Sequence, residues 1–373
     1  MGIRCDGIKR YPSFAVVSTR SGAGAEGAGA SFRSAAPRPR CYNERAMFGN
    51  LVNIRDFSLL AEKARQGRLG DLVSRIARRG ASWDHTAYPL RNWWDIPDVM
   101  DRWNLMISGD AKVDYCEHFM RRYCAGGREM SALSLGSGTG FREIELAKSG
   151  KFKRIDAVEI ARPRIAYSRE RSDRAGFAGA INYIEADAAS VALPDGSYDL
   201  VIAEQFLHHM SPLGPILGSI RDFLKPTGFF IFNEFVGPSR FQWTDEQLDA
   251  VNGLLARLPE KYRVRWKSGS VKRAVHRPGR FAVMLYDPTE AVESSRIVPL
   301  LGKTFDVLET RGYGGTVLQV LFSDIAGNFL SDDPETKHLL AMCFAREDEL
   351  LRSGSLGSDF LTGICRRPIG PSL

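Results

Sequence analysis

No stretch of the chain approaches 18 consecutive apolar residues, which excludes an ordinary membrane-spanning helix. The six cysteines (Cys5, Cys41, Cys116, Cys124, Cys343 and Cys365) form no CxxC pair. Neither a zinc ribbon nor a disulfide framework is indicated, and reduced thiols in a cytoplasmic protein are expected. Histidine is scarce and never in HxH or HxxxH spacing, so no metal site is expected. Nothing repeats internally. Basic charge is also thin where a nucleic-acid-binding core would need it. Of the net +7, five charges sit in residues 1–45, which hold eight Lys/Arg and three Asp/Glu.

Residues 1–46 are rich in Gly, Ala, Ser and Arg and short of apolar side chains, so a disordered basic tail is expected there. It reads as a tail with a partner, as a transit peptide without a clear amphipathic run, or as an extension upstream of a natural start at Met47. The functionless reading is favoured.

What is present is concentrated after residue 130. Leu133-Ser134-Leu135 is a short apolar strand entering a turn with Gly136, Gly138 and Gly140. Such glycines allow a tight turn and a close backbone approach to a ligand. Nineteen residues beyond Gly140, Glu159 ends a second apolar run, Ile155–Val158. The pattern fits a nucleoside-binding βαβ unit with its acid on the ribose hydroxyls. A dinucleotide fingerprint would need a third glycine where Phe141 stands, and a P-loop would need a Lys-Ser or Lys-Thr pair that is missing.

The alternating glycines resemble motif I of the class I S-adenosylmethionine (SAM) methyltransferases. Further pieces follow in the family's order. Ile181–Glu185 leads to Asp187 and Ala188, and Tyr198–Glu204 is a fourth strand. Leu207-His208-His209 resembles the segment after strand four in the small-molecule branch, and Leu224–Gly228 resembles a helix-to-strand turn feeding Phe229–Phe232. The resemblance spans about residues 110–236. It implies an α/β, Rossmann-like, seven-stranded, mostly parallel sheet with helices on both faces. It also implies SAM as cofactor, S-adenosylhomocysteine as product, and a cofactor site of Ser134, Gly136, Gly138, Gly140, Glu159, Asp187 and Ala188. Many relatives carry an acid near the position of Ser134. Its loss here shifts contact with the amino acid end of the cofactor towards backbone groups.

The remaining boundaries follow from pattern. Residues 47–125 are expected to form an N-terminal helical cap, with amphipathic helices at 53–79 and another at 111–124. The Trp93-Trp94 segment either caps the cofactor mouth or staples those helices to the sheet. Residues 126–237 are the cofactor-binding core, and 238–300 a lid-like insertion on the substrate side, with helix starts at Thr244 and Asp287. Residues 301–350 complete the sheet, with strand six at 305–311 and either strand seven or a helix at 317–322. Residues 351–373, with their Gly and Ser, are expected to be a loose tail.

Methyl transfer needs donor and acceptor held together, and an oxygen or nitrogen acceptor gains from a base that takes its proton. His208, His209, Glu204 and Glu234 are the candidates for that base. Trp94, Tyr115, Arg240, Trp243 and Tyr313 are candidate acceptor contacts. The acceptor is expected to be a small molecule or glycan, and the assembly a monomer or homodimer. A basic stretch from Lys261 to Arg280 leaves a nucleic-acid or acidic-ligand partner open, although Glu260 and apolar spacers favour a solvated face. A protein or RNA methyltransferase and a non-catalytic SAM-binding protein are the alternatives. Against the first, Glu204-Gln205-Phe206-Leu207 occupies the place of an Asn/Asp-Pro-Pro-Tyr segment.

Overall fold

The computed structural model describes residues 91–124 and 129–368. The tail at 1–46 and the helices expected at 53–79 lie outside the described residues. Seven strands form one sheet: β1 Met130–Leu135, β2 Phe152–Glu159, β3 Ile181–Glu185, β4 Tyr198–Glu204, β5 Leu224–Phe235, β6 Asp306–Gly312 and β7 Phe360–Arg366. Their order is β3-β2-β1-β4-β5-β7-β6. β1 to β5 pair in parallel, while β7 runs antiparallel to both β5 and β6. This is the Rossmann-like methyltransferase fold. The order reverses between β1 and β4, where an open α/β sheet leaves a crevice beyond its carboxyl ends.

Helices cover both faces because the central strands are apolar on both sides. Leu133, Leu135, Val201, Ala203, Phe230 and Phe232 pack with helices Leu213–Phe223 and Ile297–Thr304. Ala132, Ile155, Ala157, Leu200, Ile202 and Ile231 pack on the other face. There they meet Phe119 of Tyr115–Tyr123, Ile144 of Phe141–Lys148, Ile165 of Arg162–Arg174 and Leu254 of Asp245–Arg257.

The expected helix at 111–124 is shorter, Tyr115–Tyr123, because the Asp114 side chain accepts the Glu117 N–H at 2.8 Å and caps it. β5 begins at Leu224, earlier than expected: Leu224 pairs with Tyr198 and Phe229 with Leu200, so residues 225–228 are an irregularity inside the strand.

The largest correction concerns the C-terminus. The expected loose tail contains β7, which fills the gap between β5 and β6. The Gly- and Ser-containing stretch is only the turn before it. Phe360, Ile364 and Cys365 are buried, and Gly363 sits where an added Cβ would run into the Phe232 ring. A glycine that reads as looseness in sequence is here a requirement of close packing. Residues 317–322, for which a strand was one option, contain the short helix Leu318–Phe322.

Candidate active site

The crevice above β1, β2 and β4 opens into a cavity of about 1530 Å³. Ser134, Gly136, Gly138, Glu159, Asp187 and Ala188 line one part of it, and Glu204, His208, His209 and Glu290 another.

The glycine turn is built for close approach. Gly136, Gly138 and Gly140 all have positive φ, at 69°, 58° and 74°. A Cβ on Gly136 would lie 2.6 Å from Phe206 Cδ2, and one on Gly140 would lie 2.7 Å from the Tyr183 hydroxyl, whereas Gly138 faces open space. Glu159, at the tip of β2, accepts the Gly138 N–H at 2.9 Å through Oε2 and the Ile160 and Ala161 N–H groups, both at 2.9 Å, through Oε1. Three of the carboxylate's four acceptor positions therefore shape the turn, and one is left for a ligand hydroxyl. Asp187 Oδ1 accepts the Ala189 N–H at 2.9 Å and fixes the loop after β3. These residues suit a ribose and its attached groups, the polar part of SAM.

The second part of the cavity is organised by Glu234. This fully buried carboxylate accepts the N–H groups of Phe206 and Leu207 through Oε1 and lies 2.7 Å from His208 Nδ1 through Oε2. It thus holds the 3-10 turn Leu207–His209 against β5. His208 Nε2 lies 3.7 Å from Glu290 Oε1. Burial opposes charge on His208, but Glu234 and Glu290 outweigh it and raise the pKa. The adjacent His209 ring, 4.1 Å away between centroids, is pushed well below the usual value by burial and by the charge on His208. Burial also raises Glu290. The two adjacent imidazoles are thus shifted in opposite directions.

Glu204 is drawn into a different cluster. Arg142, which is nearly buried, reaches both Glu204 oxygens at 3.1 and 3.2 Å and Asp114 at 2.7 Å. With both oxygens engaged by the guanidinium, Glu204 fits a structural place at the cavity wall.

The candidate acceptor contacts divide. Trp94 is 43% exposed and lines the cavity, whereas Trp93 is buried edge-to-face on Trp103 at 4.5 Å. Trp93 packs between Trp103 of the helix Pro97–Ser108 and Phe360 of β7, and Trp94 stands at the cavity. Tyr115, Arg240, Trp243 and Tyr313 do not line the cavity. Tyr115 is buried under the Arg142 guanidinium, 4.7 Å from its ring centre. Tyr313 is fully buried and donates its hydroxyl proton to Asn233 Oδ1. Trp243 stacks on Phe241 at 5.7 Å, and it is Phe241 that reaches the cavity. Arg240 acts at one remove, donating to the Glu290 carbonyl at 3.0 Å.

Four contributors were not foreseen: Arg142, Glu143, Thr289 and Glu290. The helix start expected at Asp287 is instead a turn after Arg280–Tyr286, in which Asp287 Oδ1 accepts the Thr289 N–H at 2.8 Å. That turn carries Thr289 and Glu290 to the histidines, a meeting that sequence spacing cannot show. Among the described residues, His208, His209 and Glu290 offer ligand atoms within 4.8 Å of one another. That grouping has no counterpart in the linear spacing from which no metal site was expected.

Residues 133–232 match the family described as "Methyltransferase domain". Tenellin synthetase of Beauveria bassiana (strain ARSEF 2860) is 43% identical over 61 residues, 16% of this chain and 1% of that protein. The ubiquinone/menaquinone biosynthesis C-methyltransferase UbiE of Brucella canis is 23% identical over 190 residues, 50% of this chain and 63% of that protein. The chain thus spans less than two thirds of either relative. The crystal structure of the [4+2]-cyclase SpnF aligns with 76% of this chain and 100% of its own at 14% identity, with a TM-score of 0.41. Among the described residues no helix is long and apolar enough to cross a membrane.

Proposed function

We propose that this chain, whose residues 133–232 are a class I SAM-dependent methyltransferase domain, transfers the methyl group to an oxygen or nitrogen of a small molecule. The observation that carries the reading is the pair of adjacent imidazoles His208 and His209 in the same cavity as the glycine turn and Glu159, with Glu234 holding His208 from behind. SAM supplies an electrophilic methyl on a sulfonium. The chain's own residues supply position and proton acceptance.

Gly136, Gly138 and the loop held by Glu159 seat the nucleoside at the tips of β1 and β2. Glu234 fixes the turn and orients His208. Burial first, and then His208 held between Glu234 and Glu290, lower the proton affinity of His209. His209 then takes the proton that an attacking hydroxyl or amine loses as its bond to the methyl carbon forms and the carbon–sulfur bond breaks. Trp94, Phe241 and Tyr286 offer apolar walls for the acceptor, and the segment 238–300 acts as the acceptor-side cover.

A carbon acceptor is the second reading, favoured by the relative named as a C-methyltransferase. A phenolic ring methylated on carbon also loses a proton, so His209 would serve either way. The experiment is incubation with [13C-methyl]SAM and a panel of phenols, alcohols and amines, with NMR of the products. Labelled O–CH3 or N–CH3 supports the proposal, and C–CH3 selects the second reading. Saturable SAM binding without transfer to any acceptor class would leave only the cofactor half standing.

A further inference from the structure

Glu143 is the least explained charge in the molecule. It lies in the first turn of Phe141–Lys148, directly after the glycine turn, and it is fully buried yet lines the cavity. Neither carboxylate oxygen makes a well-formed hydrogen bond within the chain. A buried carboxylate without a partner is costly, and it persists where a ligand completes it. Its neighbours do not neutralise it. Arg142 beside it is committed to Glu204 and Asp114, and Ser134 on β1 offers only a hydroxyl. Glu204 on β4 and Tyr183 on β3 face it with negative or neutral groups.

We infer that Glu143 is the anionic contact for the α-ammonium of the cofactor's amino acid end, replacing the carboxylate that Ser134 does not provide. This rests on the SAM-binding reading above. With the nucleoside seated at Glu159 on β2, the amino acid chain extends towards β1 and the glycine turn, where Glu143 and Ser134 form the floor. The sulfonium would then stand between the nucleoside and the amino acid end, towards the part of the cavity lined by His208 and His209. Burial raises the Glu143 carboxyl to about 7, against a smaller opposing pull from Ser134. Binding an ammonium there requires the ionised form, so cofactor binding should release a proton when the pH is near or below 7.

The test is calorimetric titration of the wild type and Glu143→Gln with three probes: SAM, S-adenosylhomocysteine and methylthioadenosine. The first two carry the ammonium, only SAM carries the sulfonium, and methylthioadenosine carries neither. Expected is a loss of about ten- to hundredfold for SAM and S-adenosylhomocysteine alike, with methylthioadenosine unchanged. Wild-type SAM affinity should weaken as the pH falls from 8 to 6, with proton uptake by the buffer, and both effects should vanish in the variant. A loss confined to SAM would assign Glu143 to the sulfonium and overturn the inference. Equal loss for all three probes would make Glu143 structural and overturn it too, as would no loss at all. The isosteric variant removes an unpartnered buried charge, so its thermal midpoint should not fall. If the wild type binds none of the probes, it is the SAM reading that fails instead.

Discussion

The Glu234 carboxylate lies 2.7 Å from His208 Nδ1 while its other oxygen receives the N–H groups of Phe206 and Leu207. One side chain on β5 therefore sets both the path of the loop after β4 and the orientation of an imidazole at the cavity. Replacing it with Ala leaves buried donors unpaired, at about 1–3 kcal/mol for each group. Glu234→Ala should unfold at clearly lower urea concentration. Glu234→Gln should fold, bind SAM as the wild type does, and turn over more slowly. Unchanged turnover in the Gln variant would remove Glu234 from the catalytic arrangement.

His209→Gln should lower kcat by roughly 10²–10⁴-fold, the range of a lost general base, with SAM affinity preserved. Because three ligand atoms of His208, His209 and Glu290 lie within 4.8 Å, a chelator control belongs with this experiment. Turnover that survives extensive EDTA treatment is expected. Loss on chelation and recovery with a divalent ion would reassign the histidines as ligands.

The pH profile follows from the direction of the His209 shift. Its pKa is lowered well below the ordinary histidine value of about 6.5, so the neutral, proton-accepting form persists below that pH. At saturating cofactor, kcat should show no inflection at 6.5 and should fall only at lower pH. In stability terms the sign is opposite to that of His208. A lowered folded pKa costs stability as pH falls below 6.5, so His209→Gln should gain in thermal midpoint over the wild type in acid and not at pH 8.

Gly136→Ala places a methyl 2.6 Å from Phe206 Cδ2 at a φ of 69°. The left-handed conformation costs about 1–2 kcal/mol for a residue with a Cβ, before the clash is counted. Both SAM affinity and the denaturation midpoint should drop. A wild-type affinity in this variant would mean that the turn is not the cofactor seat.

In β7, Ile364 is 5% exposed and pairs with both Ile231 and Glu309. Ile364→Ala should cost about 2–5 kcal/mol in a denaturant titration, as for other large core side chains. A genuinely loose tail would show no change.

The glycine turn, Glu159 and the strands to β4 were legible because each is local: a few residues in a fixed order carry the whole signal. The sites of Tyr313 and Trp243 were misjudged for the opposite reason. An aromatic beside glycine or at a loop start looks available in sequence, and only packing against Trp103 or Phe241 takes it out of reach.

Sequence alone determined the glycine turn after β1 and the parallel half of the sheet, since backbone conformation and apolar periodicity act over neighbouring residues. Tertiary structure decided that the two histidines shift in opposite directions, that Glu290 stands beside His208, that Glu204 is taken by Arg142, and that the last strand comes from an apparent tail. Those outcomes depend on distances between segments as much as 137 residues apart, as Phe229 and its β7 partner Arg366 are, or on burial, which no linear spacing encodes.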